Sequence, residues 1–97
     1  MVLIDREGEM ERYKIKFFLL AKAIEKINQS ILRKKYRNFS SFFKATKILY
    51  THFGFLNGFL ACWKWLKKDY PLSLKDIYEN ILKDIEERCG FEIKIKE

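Results

Sequence analysis

An apolar repeat between Met10 and Ile31 constrains the fold of this chain more than any other feature. Its members alternate between the two core positions of a heptad, and all seven are apolar: Met10, Tyr13, Phe17, Leu20, Ile24, Ile27 and Ile31. A strand pattern accounts for only three alternating positions in the same stretch. The repeat therefore predicts one long helix over residues 9–36 with a continuous apolar face.

Turn-forming residues after this helix predict two further helices in the middle of the chain. Asn38 and Ser40 provide a stop and a cap for the second helix, which Gly54 can end. Asn57 can cap a third helix, and Pro71 closes that segment. Apolar residues that follow the helical period in these two segments are Phe42, Ala45, Leu49, Phe53, Phe59, Cys62, Trp63 and Leu66.

The C-terminal part predicts a fourth helix followed by a strand. Ser73 and Asp76 are spaced as in a capping box, and Gly90 suits the position just after a helix end. The apolar residues that keep the helical period between them are Leu74, Ile77, Ile81, Leu82 and Ile85. Residues 91–96 alternate apolar with charged side chains, which predicts a strand with one buried face. Its pairing partner would be residues 2–4 or the same tail of a second copy.

The composition favours a single, mainly α-helical domain over residues 1–97. A hydrophobic fraction of 48% is too high for a disordered chain, and four Gly with one Pro leave few turns for an all-β fold. We therefore expect four helices, the first of them long, with short terminal β-strands at residues 2–4 and 91–96. Two cysteines without a CxxC motif, and no signal segment, predict a cytoplasmic protein with reduced thiols.

Residues 48–63 raise the question of a membrane helix because they carry no formal charge. Gly54 and Gly58 have the spacing that a membrane helix dimer could use. The stretch is shorter than a bilayer span and includes His52 and Asn57. A core helix is the better interpretation, and a membrane partner is not expected.

The length of the first helix predicts a homodimer. Residues 9–36 would extend about 42 Å as a helix, whereas a compact domain of this size is roughly 30 Å across. The apolar face should not protrude into water, because burying each large side chain contributes about 1.5 to 3 kcal/mol. We expect a second copy to cover it, with the seven heptad residues as the dimer seam. The alternatives are a break near Lys16 and a heptad that lies on the other helices of its own chain.

Positive charge is concentrated in the first half of the chain and predicts a polyanion partner. The formal net charge is +7, and residues 13–48 contain ten of the 20 Lys and Arg with Glu25 as their one acid. On a straight helix, Lys22 and Lys26 share an arc with Arg33 and Arg37 opposite the seam. Largely non-specific contacts to DNA or RNA phosphates are therefore expected, with Tyr36 stacking on bases. The candidate residues are Lys22, Lys26, Arg33, Lys34, Lys35, Tyr36, Arg37, Lys44 and Lys47.

The same cations have other interpretations. Positive charge at a helix C-terminus is favoured by the helix dipole, and the polar face of any helix is charged. An acidic protein or an anionic membrane surface could use the same residues. The main alternative function is a protein-interaction subunit, an adaptor or an inhibitor, such as a mobile element encodes, that does not bind nucleic acid.

The chain carries no catalytic signature. His52 is the one histidine and lies in an apolar segment. Cys62 and Cys89 lack the spacing of metal ligands and are expected to be buried as small apolar residues. Glycine-rich phosphate-binding motifs are missing from the sequence. We expect a binding protein with no catalytic residues, metal site or cofactor.

Overall fold

The computed structural model describes residues 6–65 and 73–95, and these residues are mainly α-helical, as predicted. The first elements are α1 (Arg6–Lys26), a π-helical segment (Ile27–Ile31) and α2 (Leu32–Lys35). They follow one another without a break and are called the rod below. α3 (Phe39–Ala61) and α4 (Leu74–Cys89) complete the set of longer elements. The number of helices in the whole chain stays a prediction, because residues 66–72 lie outside the described part.

The rod does not protrude, because the domain is elongated along it. Residues 6–35 correspond to about 45 Å of helix, and the molecule measures 54 × 22 × 20 Å. α3 and α4 contact both the rod and each other, so three layers of helix share one long core. The predicted conflict between a long helix and a compact domain is thus resolved by the shape of the domain.

Aromatic side chains form the centre of the core. The fully buried ring of Phe17 on α1 lies 4.8 Å from the ring of Phe59 on α3 and 5.6 Å from that of Tyr78 on α4. Tyr13 and Trp63 extend this group at 6.2 Å from Tyr78 and 5.2 Å from Phe59. Phe17 therefore joins the three elements through its ring contacts. Aromatic pairs of this kind stabilise the fold beyond the effect of the area that they bury.

The π-helical segment shifts the buried face of the rod by about one residue. A π turn accommodates one residue more than an α turn. The side-chain oxygen of Ser30 donates to the carbonyl of Lys26 at 3.1 Å within this wider turn. Leu32, which the heptad does not include, is fully buried immediately afterwards. The described core therefore continues at Leu32, one residue later than the heptad spacing predicts, and the side chain of Ile31 lies outside the described part.

Three of the predicted helix boundaries can be compared with the structure. Asn38 caps α3, and its Oδ1 accepts from the backbone N–H of Ser40 at 2.8 Å. Gly90 closes α4 in the left-handed conformation at φ 72°, and its N–H donates to the carbonyl of Glu86. Ser73 precedes α4 as expected but makes no side-chain cap bond. The capping-box spacing therefore marks the correct boundary without the predicted bonding.

The predicted break after Gly54 is wrong, because residues 39–61 form one continuous helix. Leu56 and Phe59 are buried on the same side as Leu49, so one helix buries a longer apolar face than two short helices would. Cys62, expected in the core, is instead exposed at the turn that ends α3. None of the helices in the described ranges combines the length and apolar character that a membrane span requires.

The glycines of α3 predict a gain in stability on substitution. A Cβ atom at Gly54 or Gly58 would meet no atom within 4 Å. Alanine at either position should raise the free energy of unfolding by about 0.5 to 1 kcal/mol, since it restricts the unfolded chain and favours helix. Urea denaturation measures this effect. Gly90→Ala is the matched control and should be destabilising, because its positive φ strains any residue with a Cβ.

The tail after α4 packs against the core but forms no strand in the described residues. Ile93 is buried, Phe91 and Ile95 are partly buried, and residues 92 and 94 are exposed, as the alternation predicts. The backbone N–H of Ile93 donates to a carboxylate oxygen of Glu86 at 3.3 Å instead of pairing with a second strand. The predicted strand at 91–95 is thus wrong, and residues 2–4 and 96 lie outside the described part.

A polar pair joins α3 to α4. Nε2 of His52 donates to Oδ2 of Asp84 at 2.6 Å, and Arg88 approaches the same oxygen at 3.4 Å. His52 is therefore a partly buried residue with a structural partner. The hydrogen bond from His52 holds the pKa of Asp84 below its ordinary value, Arg88 acts in the same direction, and partial burial opposes both.

The lowered pKa of Asp84 predicts that the free energy of unfolding depends on pH. Because the pKa of Asp84 is lower in the folded protein, its contribution is present above the unfolded value of about 4 and is lost as pH falls through the folded value. Asp84→Asn should lower the free energy of unfolding by about 1 kcal/mol at pH 7, since the carboxylate is partly exposed. The loss should disappear near pH 2. Glu87→Gln, at an exposed surface pair, is the control and should have little effect at either pH.

Candidate nucleic-acid interface

Eight of the nine predicted nucleic-acid-binding residues are cations with exposed side chains. No ion pair joins any of them to a carboxylate whose side chain the structure describes; the pairs of Asp84 with His52 and Arg88 and of Lys83 with Glu87 lie elsewhere. The eight cations are Lys22, Lys26, Arg33, Lys34, Lys35, Arg37, Lys44 and Lys47. Their charge is therefore available to an external anion.

The chain reversal between the rod and α3 brings two of the arginines beside aromatic residues. Residues 36–38 connect the elements, and the Asn38 cap directs the first turn of α3 back along the rod. The result is an open cavity of about 250 Å³. We call it the arginine–aromatic cavity. It is lined by Arg33, Tyr36, Arg37, Phe39 and Phe42. A guanidinium beside an aromatic ring offers a phosphate contact and a stacking surface together.

Phe39 is the most accessible aromatic of this cavity, although it is not among the predicted binding residues. Its side chain is 77% exposed, and its ring stacks on Phe43 at 6.2 Å with an interplanar angle of 26°. Phe43 is itself 60% exposed. Both lie away from the apolar side of α3, where Ala45 and Leu49 are buried. Phe39 and Phe43 are four residues apart and do not follow the helical period of the buried residues of α3. This spacing is the feature of the sequence that indicates an exposed aromatic pair.

Tyr36 is more an anchor than an open stacking platform. Its hydroxyl donates to the backbone carbonyl of Cys89 and so ties the connection after the rod to the end of α4. Burial raises the pKa of Tyr36, with a smaller contribution from Cys89. The ring also lines the arginine–aromatic cavity, so stacking by Tyr36 stays a prediction while Phe39 offers the larger free face.

The predicted single ridge of cations is divided by the π-helical segment. The shift of about one residue rotates the end of the rod by roughly 100° relative to a straight helix. Arg33 at the end of the rod and Arg37 in the connection after it line the arginine–aromatic cavity, whereas Lys26 borders a different cavity beside Lys35. Lys22 lies over the ring of Phe18 at 5.6 Å. The predicted alignment of all four residues on one arc is therefore wrong.

The remaining predicted cations extend the charged surface onto α3. Lys44 and Lys47 are exposed about 8 and 12 Å along the helix axis from Phe39. Lys34 is exposed at the end of the rod next to Arg33. The rod and α3 thus present cations on both sides of the chain reversal. The distances between these cations are long enough to contact several phosphates of one nucleic-acid strand.

The predicted dimer seam lies mainly in the core of the single chain. Five of its residues are less than 10% exposed and belong to the same buried cluster as α3 and α4: Tyr13, Phe17, Leu20, Ile24 and Ile27. Met10 is partly buried against this cluster, and the side chain of Ile31 is outside the described part. The heptad is thus accounted for by packing within one chain, and the homodimer itself stays a prediction.

Residues with metal-binding or nucleophilic chemistry are dispersed in the described part. Within residues 6–65 and 73–95, no group of three or more His, Cys, Asp and Glu side chains is placed to hold a metal ion. Cys89 is buried, as predicted, and burial raises the pKa of its thiol. Comparisons with protein-family models, with curated proteins and with solved structures found no match to this chain.

Proposed function

We propose that this protein binds nucleic acid without catalysing a reaction, through the surface formed by the end of the rod and the first half of α3. The main support for the proposal is the arginine–aromatic cavity, which Arg33 and Arg37 line together with the exposed residue Phe39. Lys34, Lys44 and Lys47 supply further charge around it. Binding is largely independent of sequence, because phosphate contacts carry no base information.

The exposed aromatic pair favours single strands over duplexes. In a single strand an unstacked base can lie on Phe39, whereas in a duplex the bases already stack on one another. Each base that stacks on an aromatic side chain contributes about 1 to 3 kcal/mol. Residues 33–47, which supply the proposed surface, include no Asp or Glu that would repel a phosphate backbone. We therefore propose single-stranded DNA or RNA as the preferred ligand.

Fluorescence anisotropy with a labelled twelve-nucleotide single strand tests this proposal. If about five phosphates are contacted, the affinity should fall about 100-fold between 50 and 200 mM salt. A duplex of the same length should bind more weakly than the single strand. Absence of saturable binding at 50 mM salt, or an affinity that salt does not change, would contradict the proposal.

Substitution of Phe39 separates stacking from charge. Phe39→Ala should weaken single-strand binding about tenfold and leave duplex binding nearly unchanged, because only stacking is lost. The fold should tolerate it, since the ring is 77% exposed. Trp65→Ala is the matched control: Trp65 is 80% exposed beyond the other end of α3, and its removal should change neither affinity. Equal effects of the two substitutions would argue against a stacking site at Phe39.

A protein-interaction role is the second candidate, and the outer side of α3 is the observation that favours it. Residues 48–63 carry no charge, and Tyr50 and Phe55 are 58% and 48% exposed. A second copy or another protein would dock there, not on the heptad. Light scattering tests the homodimer: one chain has a mass of 11.8 kDa, and that mass at micromolar concentration would exclude a dimer. An adaptor would also ignore both oligonucleotides.

A further inference from the structure

A second cavity lies between the rod and the C-terminal tail. Its volume is about 380 Å³, within the range of small-molecule sites. The apolar part of its lining comes from Ala23 and Ile27 on the rod and from Phe91 and Ile93 on the tail. Ile27 and Ile93 are buried, so their side chains form a floor that belongs to the core. The tail packs as an extended segment and not in a sheet, which leaves this space beside the rod.

Three lysines border this cavity, which we call the tail cavity. Lys26 and Lys35 come from the rod and Lys94 from the tail, while Glu92 is the one acid of the lining. Nζ of Lys35 is held at the edge, 4.5 Å from the centroid of the Phe91 ring and 3.5 Å from the carbonyl oxygen of Gly90. None of these lysines forms an ion pair within the described ranges. The cavity therefore combines an apolar floor with a cationic rim.

The irregular geometry of the rod creates this combination. Ile27 is the first residue of the π-helical segment, and π turns inside α-helices recur at functional sites. Without the wider turn, Lys35 would be rotated by roughly 100° away from the side that carries Lys26 and Ala23. The π segment thus gathers two lysines of the rod on the side that the tail covers.

We propose that the tail cavity binds an amphiphilic anion with a single alkyl chain, such as a fatty acid or an alkyl phosphate. The alkyl chain would lie on Ile27 and Ile93, and the anionic head would contact Lys35 and Lys94. The volume of about 380 Å³ corresponds to roughly a dozen groups of the size of a water molecule, at about 30 Å³ each, which suits the length of a medium alkyl chain. A carboxylate and a phosphate share the required chemistry, an anion on an apolar chain. This site is separate from the arginine–aromatic cavity and does not depend on nucleic-acid binding.

Isothermal titration calorimetry with four probes tests the ligand class. At least one of decanoate and decyl phosphate, each used below its micellar concentration, should bind with 1:1 stoichiometry and a micromolar Kd. The compound that binds more tightly identifies the preferred head group. 1-Decanol should bind at least tenfold more weakly, because it lacks the charge, and acetate should not bind, because it lacks the chain. Equal binding of decanol, equal binding of acetate, or no saturable binding of either amphiphile would overturn the proposal.

Variants of the lining test the location. Lys35→Gln combined with Lys94→Gln should weaken binding of the tighter amphiphile at least tenfold, and Lys14→Gln with Lys64→Gln is the matched control that should not. Ala23→Leu should fill the tail cavity and abolish amphiphile binding while oligonucleotide binding is kept, since Ala23 is not part of the arginine–aromatic cavity. Retained amphiphile affinity in a folded Ala23→Leu protein, or in the Lys35 and Lys94 variant, would overturn the assignment.

Discussion

Replacing Phe17 by alanine is expected to lower the free energy of unfolding by about 3 to 5 kcal/mol. Phe17 is fully buried, and its ring contacts Phe59 and Tyr78, so truncation leaves a cavity where the rod, α3 and α4 meet. A domain of this size has a total stability of about 5 to 15 kcal/mol, so the variant should unfold at much lower denaturant concentration. Urea denaturation followed by circular dichroism measures the loss.

Phe18→Ala provides the matched control for that result. The same residue type is removed at the neighbouring position, where the side chain is 50% exposed and lies near Lys22. The expected loss is below about 1 kcal/mol, because little buried area disappears. Similar losses for the two variants would mean that the rod buries a different face from the one described, and the packing account would have to be abandoned.

Reversing the two arginines of the arginine–aromatic cavity is expected to remove most nucleic-acid affinity. Arg33→Glu combined with Arg37→Glu deletes two phosphate contacts and adds two repulsive charges, so the affinity for a single strand should fall at least about 100-fold at low salt. The residual binding should also depend less steeply on salt. Both side chains are exposed, so the fold should be retained.

The control for the arginine variant must carry the same net charge. Lys64→Glu with Lys75→Glu also changes the formal net charge by four units, from +7 to +3. Lys64 lies beyond the far end of α3, and Lys75 is in the first turn of α4, roughly 20 Å along that helix from Cys89. This variant should lose much less affinity. A loss equal to that of the arginine variant would indicate general attraction to net charge instead of a localised site.

The elements with the strongest period were predictable from sequence. The rod was expected over residues 9–36 and extends over residues 6–35. In α4, the buried positions Leu74, Ile81 and Ile85 match the predicted face. Such predictions succeed because an apolar stripe at helical spacing must be covered, whatever covers it. Which element covers the stripe depends on tertiary structure. For this reason the heptad predicted a seam with a second copy, whereas α3 and α4 of the same chain pack against it.

The failures have local causes that the sequence alone does not reveal. A glycine such as Gly54 weakens a helix by only about 1 kcal/mol, and burial of Leu56 and Phe59 on the far side outweighs it. The π turn has no sequence signature in this chain, yet it moves Leu32 into the core. The alternation of residues 91–95 reports a buried face correctly, but a buried face does not require a strand partner.

The candidate site was predictable in its charge and not in its arrangement. The exposed cations follow from the composition of residues 13–48, whereas their division between two cavities follows from the π turn and the chain reversal. Phe39 was not among the predicted binding residues, because aromatic side chains such as Phe39, Phe42 and Phe43 are more often part of a core than stacking surfaces. The tail cavity requires residues far apart in sequence, Ala23 and Ile93 among them, and could not be found by motif.

The most direct test of the proposed interface is an NMR titration of the ¹⁵N-labelled protein with an unlabelled single-stranded oligonucleotide. If the interface lies where we propose, the backbone amides with the largest shifts are in residues 33–47, around the arginine–aromatic cavity, and added salt reverses these shifts. Amides in the last two turns of α3 and the first turn of α4 should not respond. Shifts confined to those distant residues, or no shifts at low salt, would contradict the proposed interface.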